Sequence, residues 1–271
     1  MISTYLPQMT LAGLILLASS LNAAVEGTAA ERYDLLEKAL NGDPEAMATV
    51  EQEAASSCFN RWILGSALHR QQKTDQAIEQ FVAAARQGDV RAVLALADIN
   101  RKARRLVDSY AWAQIWLLSH FDMRQIQAGE ANQDAGMALL RANLEDMTDS
   151  QIEQAETLAL EYQEQLNELR NEGSNACSRT TASEVEWESE HRRQPRYPAS
   201  MARQRKNGWT HSMLLINQAG EVERVAVIYS SNSAFERPTQ RALERWQFRP
   251  KDGIQPEDGA SFVQTIEYVM E

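Results

Sequence analysis

The chain has 271 residues, 44% of them hydrophobic and 24% charged, with 12 Gly, 7 Pro and a net charge of −11. That length and apolar content allow one or two domains with real cores, and the sparse Gly and Pro exclude a low-complexity chain. Charge is uneven: residues 191–271 carry 12 Lys+Arg against 9 Asp+Glu, a net +3, which leaves −14 for residues 1–190, and the basic residues form no dense stripe of the kind nucleic acid requires.

Residues 1–25 hold no charged side chain, and Leu11–Ala18 is a compact apolar run followed by the small residues Ser19, Ser20, Ala23 and Ala24. The run is short for a membrane span, so residues 1–24 read as a secretory signal peptide cleaved near Ala23 or Ala24, with an uncleaved signal anchor as the alternative. Export would permit a disulfide between Cys58 and Cys177. Such a bridge would close a loop of more than 100 residues, worth about 4–5 kcal/mol in loop-closure entropy. The alternative is a buried Cys58 and an exposed Cys177 that never meet.

From residue 28 to 172 the pattern is helix after helix. Asp43-Pro44 supplies an N-cap and a proline at the first helical position. Thr74 opens a helix with Ala77, Ile78, Phe81, Val82 and Ala85 inward, stopped at Gly88. Asp89 caps the next helix and Asp108 precedes another, while Thr148-Asp-Ser-Gln151 is a capping box heading a long polar helix. Trp62, Trp112 and Trp116 sit at helical spacing among apolar neighbours and read as core. Shifted by 46 residues, Ala39-Leu-Asn-Gly-Asp-Pro-Glu-Ala46 is echoed by Ala85-Arg-Gln-Gly-Asp-Val-Arg-Ala92. With Leu64-Gly65 and Tyr110-Ala-Trp112, the region resembles tetratricopeptide-type α/α repeats of the Sel-one-like subclass. The resemblance implies a short all-α solenoid that presents a concave surface to a protein or peptide, or that binds nothing and only spaces the C-terminal domain. Residues 173–193 are small and polar and read as a linker.

Residues 194–271 form a small α+β unit by pattern. Pro195 and Pro198 hold Tyr197 extended, and Ala199–Lys206 is a short helix with Asn207-Gly208 as its left-handed stop. Trp209–Ile216 and Val222–Tyr229 are strands joined through Gly220. Ser233 to Glu236 fits a capping box for a helix bearing Phe235, Thr239, Ala242, Leu243 and Trp246, with Pro238 as the alternative first helical residue. A last strand falls at about 261–270.

Tyr197-Pro198, Ala202, Gly208, Gly220 and Ala242-Leu243…Trp246…Phe248…Pro250 together resemble the TonB C-terminal domain family. The resemblance spans nearly all of residues 194–271 and implies two helices on a three-stranded antiparallel sheet. It also implies a periplasmic protein that binds an extended peptide of an envelope partner, such as an outer-membrane transporter, by strand addition. An uncleaved signal would anchor it to the inner membrane instead. The implied partner-binding set is Gln194, Pro195, Arg196, Tyr197 and Pro198 with the strand Phe262, Val263, Gln264, Thr265, Ile266, Glu267 and Tyr268. TonB itself has a long Pro-rich spacer, and this sequence has none. The rival reading is a structural scaffold whose last domain docks on its own helical half or dimerises.

Alternation puts Trp209, His211, Met213 and Leu215 on the second face of the first strand, which would otherwise meet water. Trp209, Met213 and Leu215 are therefore expected at an interface, with the solenoid or with a homodimer partner. His69, His120, His191 and His211 lack metal-ligand spacing, and no Gly-rich phosphate loop or nucleophile elbow is present. No catalytic residue, metal, cofactor, small-molecule substrate or nucleic acid is expected.

Overall fold

The computed structural model describes residues 28–55, 57–121, 123–129, 134–171, 187–251 and 259–270. The expected signal segment 1–24, Cys177 and residues 173–186 of the expected linker lie outside the described residues. Among the described residues, no helix is long and apolar enough to cross a membrane.

The first half is a run of helices: α1 (Ala29–Leu40), α2 (Pro44–Ala54), α3 (Cys58–Arg70), α4 (Thr74–Arg86), α5 (Val90–Lys102), α6 (Leu106–His120), α7 (Met123–Ala128), α8 (Ala135–Asp146) and α9 (Asp149–Asn171). The 46-residue echo has a structural basis. Gly42 and Gly88 both take positive φ, at 85° and 97°. The amides of Asp43 and Asp89 bond back to the Lys38 and Ala84 carbonyls at 3.0 Å each. The same two aspartates then cap α2 and α5 through their side chains. One turn thus stops a helix and starts the next twice over. Gly65 serves packing, because a β-carbon there would sit 2.7 Å from the Phe81 ring on α4.

Thr74 opens α4 as expected, with Lys73 at the N-cap and no side-chain bond, whereas α6 begins at Leu106, before Asp108. Asp108 falls in the first turn of α6, where it complements the helix dipole and accepts a hydrogen bond from Tyr162 on α9 at 3.2 Å. The Thr148 capping box is formed, with the Gln151 side chain accepting from the Thr148 amide at 3.0 Å.

The C-terminal part contains β1 (Trp187–His191), α10 (Ala199–Arg203), β2 (Gly208–Ile216), β3 (Val222–Ser230), a 3-10 turn at Ser233–Phe235, α11 (Glu236–Leu243), β4 (Gln247–Pro250) and β5 (Ala260–Tyr268). Its main sheet is antiparallel in the order β3-β2-β5, and β1 with β4 makes a two-stranded sheet beside it. This is the α+β architecture read from the pattern, with three departures. The span expected as linker includes β1, because Trp187 is buried against Phe248 and its neighbours. The left-handed residue after α10 is Arg205, φ 50°, whereas Gly208 is needed for space: a β-carbon there would meet the Phe235 ring at 2.1 Å. Asn232 caps the 3-10 turn by accepting from the Ala234 amide, and α11 follows with Phe235 at its N-cap and no side-chain bond, so neither the Ser233 box nor Pro238 starts it.

One face of the main sheet packs on α10 and α11 through Leu214, Ile216, Phe235, Leu243, Phe248, Phe262 and Tyr268. The other face belongs to a single cluster with the helical half. Trp209, Met213, Leu215, Ile228 and Tyr229 are buried together with Tyr33, Leu36, Trp62, Phe81 and Leu96. The sheet is therefore a middle layer between two helical layers, which explains why every residue of β2 is buried.

Candidate functional site

β5 is the terminal strand of the sheet, paired with β2 from Gly208↔Tyr268 to Ile216↔Ala260. Among the described residues no strand lies along its outer side. The opposite margin is gripped by the helical half: Arg70 of α3 donates to the Val227 carbonyl of β3, and Arg224 pairs with Asp34 and Glu37 of α1. Arg224 also lies 4.6 Å from the centre of the Tyr33 ring. The two margins thus differ in what they offer a partner. An unpaired margin presents amides and carbonyls to an incoming strand.

The expected partner-binding residues divide sharply by position. Phe262, Gln264, Ile266 and Tyr268 point into the layer beneath α10 and α11 and are buried. Val263, Thr265 and Glu267 lie on the face turned to the helical half, opposite Met213, His211 and Trp209 in the pairing register. Of these side chains Glu267 alone is exposed, so what β5 chiefly offers is its backbone. Gln194 and Arg196 are exposed, while Pro195, Tyr197 and Pro198 are half-buried.

Tyr197 joins the two parts of the set. Its ring stands edge-on to Tyr268 at 5.7 Å and to Phe235 at 6.0 Å, and its hydroxyl donates to the Lys206 carbonyl at 2.7 Å. Burial pushes its phenol above the ordinary value. The amide of Met270 donates to Asn207 at 3.0 Å, so the chain after β5 is tied to the turn after α10. The segment around Tyr197 therefore sits at the Tyr268 end of the open strand.

The face toward the helical half carries polar groups that alternation alone did not single out. Tyr229 donates to Asp98 at 2.6 Å, stacks on His69 at 5.3 Å and is held far above the ordinary phenol range, first by burial and then by Asp98. His211 is buried, meets the edge of Trp62 at 5.4 Å and shares a hydrogen bond with Thr265 at 2.9 Å. Burial, then the nearby Arg91, lowers His211 to about 3, so it is neutral at any physiological pH. Among the described residues, Trp62 Nε1, Trp209 Nε1 and His211 Nε2 make no hydrogen bond. Burial and then Asp134 push Glu267 up to about 7, although its outer side meets solvent. The only sequence signal for these contacts was the run Trp209, His211, Met213 and Leu215 on a face that should have been polar.

Cys58 is disulfide-bonded. Among the described residues, no group of three or more His, Cys, Asp or Glu is placed to hold a metal ion. A cavity of about 130 Å³ lies elsewhere, between α4, α6 and α9, lined by Val82, Arg86, Trp112, Tyr162, Gln165 and Leu166.

Comparison with known proteins agrees with this architecture. Residues 193–270, a little under a third of the chain, match the family described as Gram-negative bacterial TonB protein C-terminal. The chain joins that segment to a helical array. Among solved structures, the solution NMR structure of the Pseudomonas aeruginosa TonB CTD is similar at 18% identity, with a TM-score of 0.26, covering 33% of this chain and 95% of that one. No curated protein matches.

Proposed function

We propose that the protein is an envelope adaptor that binds an extended peptide of a partner by strand addition along β5. The observation that supports this reading is the asymmetry of the sheet. The β3 margin is bonded to the helical half through Arg70 and Arg224, whereas β5, against which α1 packs, has one strand neighbour among the described residues. Backbone hydrogen bonds supply affinity in such a mode, and the packed Tyr197–Tyr268 contact holds the receiving strand in shape. An outer-membrane transporter segment is the partner that the TonB-type domain favours, in a periplasmic location. Coupling to energy transduction is a further step that the same binding event would serve.

The test uses extended peptides with N-methylated amides at alternate positions, titrated against the full chain. One phase of methylation should abolish binding and the other should leave it, because only alternate amides face the receiving strand. Equal affinity for both phases refutes strand addition.

A second reading rests on the shared core of Trp209, Met213 and Leu215 with the helices. In it the helical half is a built-in cover for the sheet, and the chain is a structural scaffold whose two parts work as one body. An outer-margin peptide that binds the intact chain favours the adaptor.

A further inference from the structure

The surface beside the Tyr268 end of β5 is predominantly cationic, with Glu267 of β5 as an exposed carboxylate at its edge. From Arg192 to Gly220 the sequence contains six Lys or Arg and no Asp or Glu. Along the chain these cations look scattered, and folding gathers them. The bond from the Tyr197 hydroxyl to the Lys206 carbonyl closes residues 197–206 into a loop, and the Asn207–Met270 bond fixes that loop at the end of β5. Arg196, Arg203, Arg205 and Lys206 are all exposed there. Among the described residues none of the four forms an ion pair.

Elsewhere in this domain Arg224 and Arg249 pair with carboxylates, and Arg237 and Arg241 of α11 have Glu236 and Glu244 as neighbours along the chain. Arg205 occupies a left-handed conformation, φ 50°, as do Gln72 and Arg104 at φ 63° and 62° after helices of the first half, and glycine would adopt it at less cost.

We propose that this cluster selects an acidic polypeptide: an extended partner segment that adds to β5 and places carboxylates over the Tyr268 end of the strand. The inference rests on the strand-addition reading and adds to it the chemistry of the preferred partner. Other anionic partners fit less well. A membrane surface would be met by exposed apolar side chains, and the exposed large hydrophobic residues among those described are Leu144 and Leu160, both in the helical half. Single-stranded nucleic acid would need open aromatic faces, whereas Tyr268 and Trp246 are buried and Tyr197 is packed against Phe235. Unpaired cations at a rim raise encounter rates and choose between partners while adding modest affinity.

The test titrates the full chain with two peptides of alternating Thr and Val, one ending in a block of Glu and the other in a block of Gln. At low salt the Glu peptide should bind on the order of tenfold more tightly, and high salt should erase the difference. The double variant Arg203→Glu, Lys206→Glu should also erase it while leaving the Gln peptide unaffected. Arg205→Gly should raise the melting temperature and weaken only the Glu peptide. Equal binding of the two peptides at low salt overturns the charge selection and leaves strand addition standing. Failure of both peptides refutes strand addition itself, and the inference falls with it. Salt-sensitive self-association, or pelleting of the chain with phosphatidylglycerol vesicles that Arg203→Glu, Lys206→Glu abolishes, would assign the cluster to another occupant and overturn the proposal.

Discussion

Acidification should loosen the packing of the sheet on the helical half, and His211 is the group through which it acts. In the folded protein the ring stays neutral down to about 3, whereas in the unfolded chain it takes a proton near its ordinary value of 6.5. Between those values the unfolded state binds the extra proton, so stability falls as pH falls through the window. Each unit below 6.5 costs about 1.4 kcal/mol, and a drop from neutral pH to about 5 costs roughly 2 kcal/mol. His69, also lowered by burial first and Lys102 second, acts in the same direction. Glu267 acts in the opposite direction. Its folded carboxyl, pushed up to about 7, holds a proton that the unfolded chain releases above about 4.5, so stability rises as pH falls from 7 toward 4.5. Because its outer side meets solvent, that gain is smaller than the shift alone implies.

The two effects separate in a Glu267→Gln background, monitored by urea unfolding with tryptophan fluorescence, since Trp62 and Trp209 both report on the buried face. Glu267→Gln should lose roughly 2 kcal/mol between neutral pH and about 5, and adding His211→Phe should remove most of that loss. If the double variant loses as much as Glu267→Gln alone, the assignment of the acid sensitivity to His211 is wrong.

The packing yields three more expected outcomes. Gly220→Ala should cost about 2–4 kcal/mol in urea unfolding, because Gly220 has φ 78° and a β-carbon would fall 1.8 Å from the Phe248 carbonyl oxygen; a change within error would contradict that geometry. Met213→Lys places a charge without a partner at a fully buried position between the two halves, so about 3 kcal/mol or more should be lost. Limited proteolysis should then cleave between the halves, and resistance equal to the parent would refute the contact. Cys58 is disulfide-bonded and the sequence holds 2 cysteines, so the unreduced, unfolded chain should show no free thiol, and reductant should lower the urea midpoint by an amount equivalent to about 4 kcal/mol. A titratable thiol or an unmoved midpoint would refute the bridge.

Features set within a few residues were legible in the sequence. The glycine stops at 42 and 88, the Asp43 and Asp89 caps, the Thr148 box and the Gly220 hairpin all arise from backbone preferences and short side-chain bonds that neighbouring residues suffice to specify. The same holds for the strands of the main sheet, whose alternation showed both faces of β2 to be apolar, and for the motif residues from Tyr197 to Pro250. Local reading failed where a distant group decided the matter. β1 exists because Trp187 finds Phe248, some sixty residues on along the chain, and a short polar stretch bears no mark of that meeting. Gly208 looked like a helix stop, but its lack of a side chain is required by the Phe235 ring, and the left-handed residue is an arginine that no propensity would choose.

By itself the sequence determined the helical array, the α+β module and the need to cover a second apolar face, because caps, turns and periodicity act over one or two turns of chain. Only the tertiary structure decided what covers that face, which sheet margin is gripped and which is left, and that the cationic segment 196–206 lies at the end of β5. Those outcomes depend on contacts between residues tens to hundreds of positions apart. Their free energies are set by shape, burial and charge in three dimensions, and local spacing along the chain does not encode them.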